Sequence, residues 1–169
     1  MSKIFNSISY VFTDKNKLSR YLYGTLSNPT DLKVQKALYL TYAFYGATLG
    51  QLHSNHTVNG APEGVYPRYL FPANFVAGAY GPIETDLFKS TDVDRMNATE
   101  KLELSYDIPE HRQISLVLND LIYELDGIDD FSLATRTRND NVWRNHYKKG
   151  SQIPLSTELI IDEYSNRYI

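Results

Sequence analysis

The stretch Thr30-Asp31-Leu32-Lys33-Val34-Gln35-Lys36-Ala37-Leu38-Tyr39-Leu40-Thr41-Tyr42-Ala43-Phe44-Tyr45-Gly46-Ala47-Thr48-Leu49-Gly50 decides the fold. Val34, Ala37, Leu38, Thr41, Phe44, Tyr45, Thr48 and Leu49 keep helical spacing for about four turns. Thr30 supplies a cap, and Asp31 puts a negative charge where unpaired N–H groups favour it. Gly46 is tolerated inside and Gly50 suits the end. Tyr39, Leu40 and Tyr42 widen the apolar face so far that the segment predicts a central, largely buried helix. Lys33 and Lys36 mark its expected wet side.

Working outward, Leu18, Tyr21, Leu22 and Leu26 predict a first helix over Asp14 to Leu26, capped by Thr13 or Asp14. Ser27-Asn28-Pro29 ends it. On the other side, residues 51–72 are rich in Asn, Gly and Pro and predict a long loop. Leu70-Phe71 and Phe75-Val76 bring the chain back to the core in extended form. Tyr80-Gly81-Pro82-Ile83-Glu84-Thr85-Asp86-Leu87-Phe88 then predicts a hard turn followed by a short helix to about Lys89. In that reading Pro82 stands at a first helical position, and Glu84 and Asp86 sit near the positive end. Leu102, Leu104, Tyr106 and Ile108 alternate as a short strand would. Pro109 opens an amphipathic helix along Ile114, Val117, Leu118, Leu121, Ile122 and Leu125, stopped by Asp126-Gly127. Ser132 caps a short helix to about Thr137, and Val142-Trp143-Arg144-Asn145 starts another turn or two. Ile153-Pro154 reads as a turn. Thr157 caps a last helix facing inward with Ile160, Ile161, Tyr164 and Tyr168.

The 169 residues, 42% of them hydrophobic, suit one mainly α domain with a sizeable core. The expected architecture is a compact helical bundle around the central helix, with a little extended structure and residues 1–13 as a lead-in. Fourteen Tyr and seven Phe place much aromatic surface at the core edge or on a binding face. The absence of Cys removes disulfides and thiolate chemistry and fits a reducing, cytoplasmic compartment. A net charge of −3 argues against a large nucleic-acid footprint, although a local basic patch is compatible with it. No apolar run approaches the roughly 20 residues of a membrane span.

Catalytic signatures are missing. His53 and His56 stand three apart in a Gly- and Pro-rich segment with no further ligands, short of a metal set. His111 and His146 read as isolated surface or capping histidines. The acidic run Asp126 to Asp130 lacks the alternating oxygens of a calcium loop. The glycines form no phosphate loop, and a Gly-x-Ser-x-Gly elbow is absent. Glu84 and Asp86, two apart, would point to different sides of a helix, which disfavours an acid–base pair. No enzyme site and no cofactor are expected.

The segment Thr135-Arg136-Thr137-Arg138-Asn139-Asp140-Asn141-Val142-Trp143 stands out. Arg136, Arg138, Asp140 and the single Trp lie within eight positions, a composition matching binding hot spots. The plainer reading makes Trp143 a core anchor and Asp140 the cap of its helix, and the two can coexist.

Several of these motifs resemble, in order and spacing, the Panacea domain, the antitoxin family that includes SocA-like proteins. Leu32 to Tyr39 looks like its Leu-x-Leu-Gln-Lys-Leu-Leu-Tyr opening, and Tyr80-Gly81-Pro82-Ile83 resembles its Tyr-Gly-Pro-Val turn. Leu133 to Trp143 is similar to its Leu-(Ser/Thr)-His-x-x-Asp-x-Trp stretch, with Arg138 where the family carries His. Gly150 to Ile161 resembles its Gly-x-x-Ile-Pro closing segment. The resemblance spans roughly residues 14 to 166. It implies a mainly α, non-catalytic domain, of phage or mobile-element type, that neutralises a toxin encoded beside it by protein–protein contact. Some members resemble adaptors that present a toxin to a host protease, and an anti-defence role is a natural variant. The expected partner-binding residues are Arg136, Arg138, Asp140, Trp143, Tyr80 and Tyr42.

Overall fold

A computed structural model describes residues 10–53, 66–87 and 101–169. The described residues form six α-helices, one short 3₁₀ helix and a three-stranded sheet, so the chain is mainly α. His56 with the rest of residues 54–65 of the expected loop, the lead-in before Tyr10 and the stretch from Phe88 to Glu100 lie outside the described residues.

Helix α1 spans Lys15–Thr25, and the Asp14 carboxylate accepts the Asn16 N–H at 2.9 Å. Helix α2 spans Asp31–Ala47, and the Thr30 hydroxyl accepts the Lys33 N–H at 3.1 Å. Helix α3 spans Pro109–Asp126, burying Ile114, Leu118, Ile122 and Leu125 with Val117 and Leu121 at the margin. Helix α4 is Asp130–Arg138, α5 is Asn141–Arg144 and α6 is Thr157–Tyr168. Residues 33–43 of α2 are all buried, because α1, α3, α4 and α6 pack around it. A helix enclosed on every side is the case in which one-face patterning breaks down. At the α2–α6 crossing a Cβ on Gly46 would lie 2.5 Å from Ile161 Cδ1, so the small residue sets how closely the helices approach.

Enclosure overturns the expected wet side of α2. Lys33 and Lys36 are both buried, the latter fully. Lys33 Nζ reaches the Asp126 carbonyl at 2.8 Å, at the C-terminus of α3 where a cation is favoured. Lys36 Nζ donates to the Pro82 carbonyl at 2.8 Å. Long aliphatic stems let both lysines fill the core while their heads find oxygen.

Residues 81–84 also differ from expectation. Strand β1, Phe75–Gly78, pairs antiparallel with β2, Gly81–Glu84, across the two-residue turn Ala79-Tyr80. No helix starts at Pro82. A strand can follow Gly81-Pro82 because Pro82 lies in an edge strand, where its missing N–H leaves no gap in the ladder. The outer edge of β2 is then covered by α2. The Gln35 amide accepts the Glu84 N–H at 2.8 Å and donates to the Glu84 carbonyl at 3.3 Å, as a neighbouring strand would. Glu84 therefore lies in a strand and Asp86 in the turn after it, and both pair with Lys15 of α1.

Ile153–Pro154 is strand β3, not a turn, and pairs with β1 on the side opposite β2 to give the order β2-β1-β3. Residues 102–108 form no strand. Leu102 and Leu104 rest on the core, and the one sheet edge beside α2 is already occupied. Two caps move by a few residues. Asp129 caps α4 through the Ser132 N–H, and Ser132 donates its hydroxyl to the same carboxylate. Ser156 rather than Thr157 caps α6, its hydroxyl accepting the Leu159 N–H at 3.3 Å.

Candidate functional site

The β1–β2 hairpin turns outward at Ala79-Tyr80, and Tyr80 is 55% exposed. Gly81 follows at φ +103°, a conformation costly for any residue with a Cβ. A Cβ there would collide with Thr137 Oγ1 and lie 3.2 Å from Lys36 Nζ, so α2, α4 and the hairpin meet at this glycine. The hairpin thus joins the central helix to the C-terminal helices, as a rigid mount for Tyr80.

Trp143 lies beside it. Its Nε1–H donates to the Gly78 carbonyl at 2.8 Å, and its ring stacks on Tyr147 with centroids 4.6 Å apart and planes 14° from parallel. Trp143 and Tyr147 are both half-buried. Arg138 ends α4, half-buried, and its nearness depresses Lys36. Desolvation is the larger cause, and together they bring the Lys36 ammonium down to about 7. Tyr80, Trp143 and Arg138 therefore gather around one hairpin, with Tyr147 as a fourth member. Tyr147 shows in the sequence only as an aromatic four residues after Trp143, the spacing of neighbours on a helix.

The other three expected contact residues point elsewhere. Tyr42 is 1% exposed, T-shaped against Phe75 at 5.4 Å, and so belongs to the core; Tyr39 and Tyr45 of the same helix are buried too. Arg136 lays its guanidinium over Phe44 and Tyr168, 5.5 and 5.2 Å from their centroids, bracing α4 against α2 and α6. Asp140 is 1% exposed, and its Oδ2 accepts the hydroxyls of Tyr39 at 2.8 Å and Tyr164 at 2.7 Å. Burial pushes the Asp140 carboxyl up, with Glu163 adding to it, while the two hydroxyls and Arg167 pull it back down. Burial drives both tyrosines well above their ordinary range.

Asp140 occupies the cap position of α5 but makes no capping bond. Glu163 of α6 does that work, accepting the Asn141 and Val142 N–H groups, each at 2.8 Å. A four-residue helix has too few internal bonds to persist alone, so this carboxylate fixes the element that carries Trp143.

In the cleft beside α1 the charged groups are committed to one another. A cleft of about 410 Å³ is lined by Tyr10, Lys15, Tyr42, Tyr69 and Asp86. Lys15 is paired there with Glu84 and Asp86, and Tyr69 with Glu158. His53 Nδ1 meets the Tyr66 carbonyl, thirteen residues on, and His146 Nδ1 the Val142 carbonyl, four residues back. Among the described residues no group of three or more His, Asp or Glu is placed to hold a metal, and no helix is long and apolar enough to cross a membrane. No protein-family model, no curated protein and no solved structure matches this chain.

Proposed function

We propose that this chain is a non-catalytic antitoxin or inhibitor, a Panacea-like helical bundle that neutralises a partner protein by direct contact through the hairpin face. The observation that carries the reading is the union of Tyr80, Trp143 and Arg138 around one rigid turn. Aromatic and arginine side chains held in place before binding lose little entropy on association, which is how a small patch achieves useful affinity. The order of motifs from Leu32 to Ile161 supports an antitoxin role, and a phage or mobile-element setting in the cytoplasm is its natural context. The partner is the product of an adjacent reading frame.

Co-expression tests this directly. The neighbouring product, toxic alone, is expected to become tolerated and to co-elute with this chain. Neither rescue nor a complex would remove the antitoxin reading. A complex accompanied by faster turnover of the partner would assign the chain the role of an adaptor to a host protease.

A further inference from the structure

Charge is segregated along this chain. Residues 136–149 hold five Arg or Lys and a single acidic residue, Asp140, within a protein whose net charge is −3. That one acid is sealed in the core against Tyr39 and Tyr164, so it does not offset the cations at the surface. Arg136 is engaged with Phe44 and Tyr168. Arg138 remains beside the hairpin, and Arg144, Lys148 and Lys149 are exposed and form no ion pair with the described residues. All four lie within six residues of Trp143 in the chain, and Trp143 stacks on Tyr147 and bonds to the hairpin that carries Tyr80.

Resting on the partner-binding reading above, we infer that the hairpin face takes an acidic, aromatic- or leucine-bearing segment of a protein. Tyr80, Trp143 and Tyr147 form the apolar centre, and Arg138, Arg144, Lys148 and Lys149 form a cationic rim. Such a rim steers an oppositely charged partner and sets its register, while the rings supply contact area. The number of cations decides between two polyanions. Nucleic-acid binders commonly engage roughly 6–10 phosphates. Four rim cations on an otherwise acidic chain fall short of that, whereas a few carboxylates on a peptide match them.

Trp143 is the single tryptophan, so its emission reports on the face directly. A Glu-rich peptide with interspersed Leu is expected to change that emission saturably, with affinity falling about tenfold from low to moderate salt. The variant R144E/K148E/K149E is expected to lose the response while keeping the wild-type melting temperature. Should that variant melt early, R144Q/K148Q/K149Q gives the same comparison without reversed charge. An unchanged emission, or an equal response in the triple variant, would overturn the inference. Tighter binding of oligothymidylate than of the peptide would reassign the face to single-stranded nucleic acid. The two proposals separate cleanly. A toxin complex indifferent to the rim variants leaves the antitoxin reading standing and sinks this one. Peptide binding without any toxin complex does the reverse.

Discussion

Asp140 and Trp143 stand three residues apart, yet they belong to opposite halves of the molecule's logic. Around Asp140 the interior uses tyrosine and carboxylate as a buried polar cluster: Tyr39 and Tyr164 donate to Oδ2, while Oδ1 accepts no hydrogen bond and has Arg167 at 3.7 Å as its ion-pair partner. Around Trp143 the same chemical types lie at the margin of the core, half-buried in Trp143, Tyr147 and Arg138 and exposed in Tyr80. Residue type does not separate the two regions; enclosure by α2 and α6 does. A cluster of Trp, Tyr and Arg is thus evidence of a contact surface only where the neighbouring helices leave it uncovered.

The sharpest way to break this division is at Gly81, where interior and face join. Gly81→Val combines a forbidden backbone angle with collision against Thr137 and Lys36, and is expected to cost about 4 kcal/mol by chemical denaturation. Partner binding should fall with it. A variant that melts like wild type but no longer binds would make the turn part of the contact surface rather than its mount.

Asp140→Ala tests the interior alone. It strands two buried hydroxyls, with an expected loss of about 3 kcal/mol. A loss below about 1 kcal/mol would mean that the network is not a stabilising one. Lys36 tests the interior through pH. The folded ammonium titrates at about 7 against an ordinary 10.5, so between those values the unfolded chain holds a proton that the folded one lacks. Stability therefore rises with pH from about 7 to 10.5, and the full penalty is present below pH 7. Lys36→Met is expected to flatten that rise and to be the more stable protein at pH 6, by about 2 kcal/mol after the lost bond to Pro82 is set against it. Urea titrations of both proteins at pH 6 and pH 9 measure this, and parallel curves would refute it. Tyr80→Ala should be the mildest change, within about 0.5 kcal/mol in stability, while weakening the partner complex. An unaffected complex would place the contact surface away from the hairpin tip.

Much of the helical framework was legible beforehand, because it is written in local terms. Thr30 as cap, the spacing from Val34 to Thr48 and Pro109 at the head of α3 each act within a few residues of chain. What escaped is non-local. The strand at Gly81-Pro82-Ile83-Glu84 depends on Gln35 and Lys36, some 46 and more residues away, to satisfy its outer edge. The burial of Lys33 and Lys36 depends on carbonyls delivered by α3 and β2, and charge alone suggested water instead. Strand β3, two residues long, has no pattern of its own to read. At the candidate site, the Trp and Arg cluster and Tyr80 were visible as residue types. The inward turn of Asp140, Arg136 and Tyr42 was not, since it is decided by which helices cover them.

Glu163 has a consequence for the order in which the molecule is made. During synthesis Trp143 leaves the ribosome well before the carboxylate that holds its four-residue helix, and before Tyr164 and Arg167 close over Asp140. A nascent chain that ends short of α6 therefore carries the tryptophan without a platform for it. Recognition competence therefore arrives only with the docking of α6, so a copy still lacking that helix would be unable to occupy a partner.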